Sequence, residues 1–363
     1  MATFLTQSGV QVQEILDQAY EKPSGGIPES DLASAVTSKL NIWAKGSGTN
    51  SAALEGSNST ASGINSVAEG LKSKAIGNYS HAEGRESTAN GVSSHTEGYN
   101  TETGGDYASN TKQADSSEAA GKYAHAEGNA TIAKGMDSHA EGRLAFAEGK
   151  YSHAEGYASQ AKGNASHAEA FRTLAQGNNS HAEGYQTQAL NSGAHSEGYK
   201  SVAGGSAEEQ PSLPTPSSDT VGNYTHAEGN GTVAYGANSH SEGKNTFAGG
   251  LTSHAEGSHT ETQSEGEHAQ GVFNKSNKAS ASFGDTGNTI HSIGIGTGTN
   301  DRKNAVEVMQ NGDIYIIGIG GYDGTNPGES FSLQDFLYRT FEDNGLAIPL
   351  PTVPAPEPEP ESN

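Results

Sequence analysis

A pentad, Ser-His-Ala-Glu-Gly, recurs with small substitutions between residues 80 and 271, and successive copies stand almost always 14 residues apart. Its histidines are His81, His95, His125, His139, His153, His167, His181, His195, His226, His240, His254 and His268. Two places after each stands an acid, Glu83, Glu97, Glu127, Glu141, Glu155, Glu169, Glu183, Glu197, Glu228, Glu242 and Glu256, with Gln270 in the last copy. A period this short and this strict means stacked units, each touching only its neighbours. Residues 52–56 and 66–70 hold the same register without histidine, so the array begins near residue 50. The steps from 95 to 125 and from 195 to 226 depart from it.

Seven residues after each pentad comes a weaker motif ending in Ala-x-Gly, as in Ala133-Lys134-Gly135, Ala161-Lys162-Gly163 and Ala175-Gln176-Gly177. Each unit therefore reads as two short strands and two turns, because a helix cannot reverse every seven residues. Glycine at the end of both halves supplies a positive φ or a close approach. Side chains alternate along a strand, so Ser80 and Ala82 share one face while His81 and Glu83 share the other. The small face is the natural interior, and it stays small where Ala gives way to Thr96, Ser196 or Ser241. The His/Glu face then points outward from its own coil. Before the second Ala the residue is often apolar: Ile132, Phe146, Leu174, Val202, Val233 and Phe247. The expected fold is all-β, a parallel β-roll or solenoid of 14-residue coils. About fifteen coils at roughly 4.8 Å each make a rod of roughly 70 Å.

Composition agrees with a repeat and with little else. Hydrophobic residues supply only 31% of the 363 positions and Gly supplies 49, too little for a Leu/Ile/Val core. A net charge of -23 on such a chain would suit disorder, but disordered tracts lack strict periodicity. The acidic excess offers no cationic footprint for nucleic acid, and no apolar stretch is long enough for membrane insertion. Residues 1–16 lack the basic start and apolar run of a secretory signal, so export by that route is not expected. With no cysteine, disulfides and thiolate metal sites are excluded.

The segment Asn65-Ser66-Val67-Ala68-Glu69-Gly70 resembles the 14-residue repeat of trimeric autotransporter adhesin heads, which reads Asn-Ser-Val-Ala-Ile-Gly. The likeness in spacing runs over residues 50–284. It implies a homotrimer of left-handed parallel β-rolls. This chain departs from the pattern by carrying His and Glu where that family has Val and Ile.

Stacked glutamates about 5 Å apart repel by about 3 kcal/mol per pair at an effective dielectric near 20. The adjacent histidines are expected to neutralise them, within a chain or across a trimer seam, by donating ring N–H groups. Histidine and glutamate are also good metal ligands, but a ladder offers them mostly from one direction, so no metal or cofactor is expected. Catalysis is not expected either, because Ser80 and His81 point to opposite faces of one strand. Tyr99, Tyr157, Tyr185 and Tyr199 follow pentads and are expected to stack between coils rather than bind sugars.

The flanks differ in texture. Residues 12–20 and 31–40 have helical spacing, with Ser30 as N-cap of the second. Pro23-Ser24-Gly25-Gly26-Ile27-Pro28, followed by Asp31-Leu32-Ala33-Ser34-Ala35-Val36, resembles a segment of bacteriophage tail and fibre proteins. Residues 302–315 resemble segments that follow such repeats in phage and prophage fibre proteins. Residues 304–319 read as two strands meeting at Asn311-Gly312, and 332–341 as an amphipathic helix with Leu333, Phe336, Leu337 and Phe341 on one stripe.

Four regions follow. Residues 1–46 form an attachment segment and 47–284 the repeat domain, with irregular insertions at 99–124 and 204–222. Residues 285–345 form a β-rich cap and 346–363 a Pro/Glu-rich tail. The insertion at 99–124 is either a protruding loop or a degenerate coil. That at 204–222 is a loop, since Pro211, Pro214 and Pro216 cannot donate to a ladder. The expected function is a non-enzymatic phage fibre at the virion surface: a homotrimer joined to another virion protein through its N-terminal segment, projecting from tail or capsid, and contacting a host-surface glycan or protein. The alternatives are a bacterial trimeric surface adhesin, and a fibre-borne glycan depolymerase or self-cleaving maturation protein.

Overall fold

The computed structural model describes residues 43–104, 120–205, 222–326 and 333–345. The expected helices at 12–20 and 31–40, the tail at 346–363 and the middle of each insertion lie outside the described residues. What is described is nearly all β, a parallel solenoid of about fourteen coils. Each coil has a pentad strand and a two-residue strand seven positions later, such as His139–Arg143 and Phe146–Ala147. Pentad strands stack in one sheet and the short strands in a second. Pairing is in register from coil to coil: His125 faces His139, Ala126 faces Ala140 and Glu127 faces Glu141.

The interior is a column of small side chains. Ala126, Ala140, Ala154, Ala168 and Ala182 of the pentads, and Ala133, Ala147, Ala161 and Ala175 opposite them, are fully buried. Thr96, Ser196 and Ser241 are buried in the same column. An alanine methyl contributes only roughly 0.8 kcal/mol on burial, so the cohesion of the coils rests on the continuous backbone ladder more than on apolar area. The pentad serine closes the turn that precedes its strand. Ser152 donates its hydroxyl to the carbonyl of Gly149 at 2.6 Å, and Ser138 to Gly135 at 2.7 Å. Alanine there would leave a turn carbonyl weakly satisfied inside the coil.

The two glycines of each unit turn out to have different roles. The pentad glycine is left-handed, as at Gly142 with φ 99°, and a Cβ on it would lie 2.4 Å from the carbonyl oxygen of Gly156 in the next coil. Away from the two insertions the second glycine is not left-handed; a Cβ on Gly149 would lie 1.8 Å from the carbonyl oxygen of Gly163. Left-handed turns in both halves are instead taken two residues after each glycine by ordinary residues, among them Asp137, Leu144, Tyr151, Ala158 and Asn179.

Neither insertion adds a coil. His95–Tyr99 pairs directly with His125–Asn129, and His195–Tyr199 with His226–Asn230. The 99–124 step thus adds no rung between these two described strands. Both insertions leave through the same corner, between the last two positions of an Ala-x-Gly motif. Excising 105–120 leaves Thr103-Gly104-Gly121-Lys122-Tyr123-Ala124-His125, and excising 205–221 leaves Ala203-Gly204-Gly222-Asn223-Tyr224-Thr225-His226, each a regular half-coil. Glycines crowd the doorways: a Cβ on Gly121 would meet the Gly104 nitrogen at 2.3 Å, and one on Gly222 the Gly204 Cα at 2.6 Å.

The ends of the stack are closed by antiparallel pairing. Trp43–Lys45 folds back on Ala52–Leu54. At the other end Thr289–Ile295 adds a parallel strand to His268–Val272, and Asn304–Met309 and Ile314–Ile316 continue antiparallel, turning at Asn311-Gly312. Met309, Tyr315 and Tyr322 form a small core there. Glu307 is buried beside it, accepting from Asn277 Nδ2 at 2.7 Å, Thr289 Oγ1 at 2.6 Å and the Tyr322 hydroxyl at 2.8 Å. The helix Leu333–Asp343 buries none of its residues, so its stripe does not act as a packed cap within one chain.

Candidate functional site: the histidine and glutamate face

The outward face of the pentad sheet carries every ladder residue named above. His81, His95, His125, His139, His153, His167, His181, His195, His226, His240, His254 and His268 form one uninterrupted stack with ring centroids 4.6–4.9 Å apart. Strand register sets this spacing, and the planes stay nearly parallel, within 5° except for 13° between His240 and His254. A further rung follows: His291 stands opposite His268, and its ring turns edge-on at 64°, ending the stack. No pentad precedes it, but His291-Ser292-Ile293-Gly294 keeps the pentad's offsets of histidine, small residue and glycine.

Glutamates line a parallel row beside the rings, and with the pentad glycines they floor a shallow open groove along the sheet. The expected hydrogen bonds between the two rows form at one place, where His81 Nε2 lies 3.0 Å from Glu69 Oε1. From His125 to His226 each Nε2 stands 3.6–3.9 Å from the glutamate of its own coil. At His240, His254 and His268 the near carboxylate belongs to the preceding coil, at 3.4–4.0 Å. These distances are too long for hydrogen bonds. The Nε2 atoms of His95 and of every later pentad histidine are nevertheless shut off from solvent and have no hydrogen-bond partner among the described residues. In-register stacking explains the mismatch: rings held face to face cannot tilt to meet the carboxylates.

Burial, reinforced by flanking imidazoles, holds His95, His139, His167, His195, His240 and His254 below the ordinary imidazole range. Carboxyls respond by sharing protons with one another. Glu197 is pushed up to about 7 by burial and by bonds to Glu228 and Glu183, and Glu242 to about 7 by its bond to Glu228 and by burial. Glu228, accepting from both, is held below the carboxylate range. Glu83 is raised by its bond to Glu97 and by burial. Around Glu228 the raised neighbours Glu197 and Glu242 thus relieve the repulsion of the row.

The aromatic residues after the pentads also stack. Tyr157, Phe171, Tyr185 and Tyr199 run in sequence at 4.9–5.1 Å, flanked by Arg143, Arg172 and Lys200. Their faces are turned to one another, which leaves edges for solvent. Tyr99 lies outside this run, with Arg85 over its ring. Ser80, the serine nearest in sequence to His81, is buried with its hydroxyl on the Gly77 carbonyl at 2.7 Å.

The buried acid Glu267 carries no signal in the repeat, since it occupies the pentad's serine position. Its Oε2 accepts from the backbone of Gln263 and Ser264 and from Ser276 Oγ at 2.7–3.0 Å, and complete burial pushes it up to about 8. Among the described residues no helix is long and apolar enough to cross a membrane. No family model matches the chain, and no curated protein matches it.

Proposed function

We propose that this chain is a structural fibre protein of a bacteriophage virion, a homotrimer of β-solenoids that projects from tail or capsid and contacts the host surface. The observation that carries the reading is the pentad sheet itself, one chemical pattern repeated in register from coil to coil with its histidine Nε2 atoms sealed and unpaired from His95 onward. A strip of that kind offers a second and third copy of the same chain the same partners at every rung, and the exposed stripe of the C-terminal helix, with Phe336, Leu337 and Phe341, has the same need of a neighbour. The resemblances of residues 23–36 and 302–315 to phage fibre segments support the virion assignment, and the N-terminal segment is the joint to another virion protein. A catalytic use of the array is disfavoured, because its serines are bound to turn carbonyls inside the coil. Incubation of purified protein with host polysaccharide tests the non-enzymatic part: binding without new reducing ends is expected, and their release would make the protein a depolymerase. An intact mass of 37.3 kDa is expected, and a shorter product would mark self-cleavage.

A further inference from the structure

The corner where each pentad strand ends carries a row of cations that the order of the sequence hides. The two residues after the pentad glycine occupy this corner, and from Asn129 to Phe273 they include no acid, although the chain has 43 acidic residues. They do include Arg143, Arg172, Lys200 and Lys244, all exposed. Arg143 belongs to the coil of His139, Arg172 to that of His167, Lys200 to that of His195 and Lys244 to that of His240. Strand pairing runs in turn through His139, His153, His167, His181, His195, His226 and His240, so the four cations stand on alternate coils. Two coils rise about 10 Å, which gives the row a regular spacing along the rod.

No carboxylate neutralises this row. Among the described residues none of the four forms an ion pair. The glutamates earlier on the same strands lie against the histidines instead, as Glu141 does at 3.9 Å from His139. The neighbours of the cations are rings: Arg143 lies over Tyr157, Arg172 over Phe171 and Lys200 over Tyr199. Tyr157, Phe171, Tyr185 and Tyr199 are stacked on one another, so no planar base can enter between them, which disfavours single-stranded nucleic acid. The ring edges left to solvent are electropositive, and the tyrosines bring hydroxyls that both donate and accept. Such a ridge suits a chain of hydroxyl-rich units with a negative charge at regular intervals.

We infer that this corner docks a linear acidic polysaccharide with one carboxylate per disaccharide, laid along the rod with its carboxylates on Arg143, Arg172, Lys200 and Lys244 and its hydroxyls against the tyrosine edges. The assignment rests on the reading of the chain as a fibre that contacts a host-surface glycan, and it names the class of that glycan. An extended disaccharide matches the two-coil step, whereas a charge on every sugar would leave half the carboxylates opposite uncharged positions. Every contact lies on one chain, so docking does not require the trimer.

The test is binding of fluorescent hyaluronan oligosaccharides, which carry one carboxylate per disaccharide, to the full-length protein at low salt, beside dextran of similar length and oligothymidylate. Hyaluronan should bind, the other two should not, and added salt should weaken the complex. Combining Arg143→Gln, Arg172→Gln, Lys200→Gln and Lys244→Gln should weaken binding about tenfold or more with unchanged circular dichroism. Combining Lys74→Gln, Lys134→Gln, Lys150→Gln and Lys162→Gln, an equal loss of charge on the short-strand half of the coils, should leave binding unchanged. Equal weakening by both sets would mean that net charge rather than the ridge holds the ligand, and overturns the assignment. Tighter binding of oligothymidylate overturns it too. Dextran bound as well as hyaluronan would refute the acidic ligand while leaving the glycan contact of the fibre standing. Absence of both complexes overturns the ridge, and the incubation with host polysaccharide then judges the fibre reading separately. If the ridge variant does not fold, salt decides on the unaltered chain: weakening supports the charge match and indifference refutes it.

Discussion

At the residue scale the fold is decided by what does not fit. Gly149→Ala should be among the most damaging single changes in the rod, because its Cβ would sit 1.8 Å from backbone of the next coil and no rotamer can relieve it. A loss of more than about 3 kcal/mol is expected, against about 1 kcal/mol for Ser152→Ala, which forfeits one turn hydrogen bond. Denaturant unfolding of the two variants checks the order, and similar losses would mean that the coils can separate locally. Alternation along the pentad was legible because period two needs no tertiary information. The left-handed turn positions were not, since Asp137, Leu144, Tyr151 and Ala158 share no chemistry. Coil closure imposes their φ, at about 1–2 kcal/mol each, and the ladder bonds on either side must outweigh it.

At the scale of elements the strands flanking each insertion pair in the regular register of the stack. Deleting residues 105–120 should therefore give a folded rod with a melting temperature within about 4 °C of the parent by circular dichroism, since the remaining half-coil has regular length. Aggregation or loss of the β signal would show that the insertion is needed for folding. The sequence left loop and degenerate coil open there because residue count alone serves both, whereas strand pairing distinguishes them. The C-terminal cap was legible in its hairpin and helix but not in its buried Glu307, and the last pentad gave no sign of its buried Glu267. Glu267, carried up to about 8 by burial, keeps its proton in the folded state where the unfolded chain has released it. Its contribution to stability therefore falls as pH rises from about 4.5 to about 8. Glu267→Gln should flatten that part of the pH dependence of melting, and an unchanged slope would mean that Glu267 is ionised and hydrated.

For the whole molecule, the repeat was readable as a solenoid because each coil meets only its neighbours, so sequence period and structural period coincide. What the sequence could not convey is how badly the two outward rows match within one chain: rings stacked too rigidly to reach the carboxylates, and Glu197 and Glu242 bonded to Glu228 instead and pushed up to about 7. In the proposed fibre three rods pack about their pentad faces. A trimer would carry three times the chain's net charge of -23, which keeps such rods from associating further. The molar mass of the purified protein by light scattering, measured in chelator at moderate salt, tests this most directly. Three times 37.3 kDa is the predicted value, and a stable species of 37.3 kDa would contradict the assembled fibre.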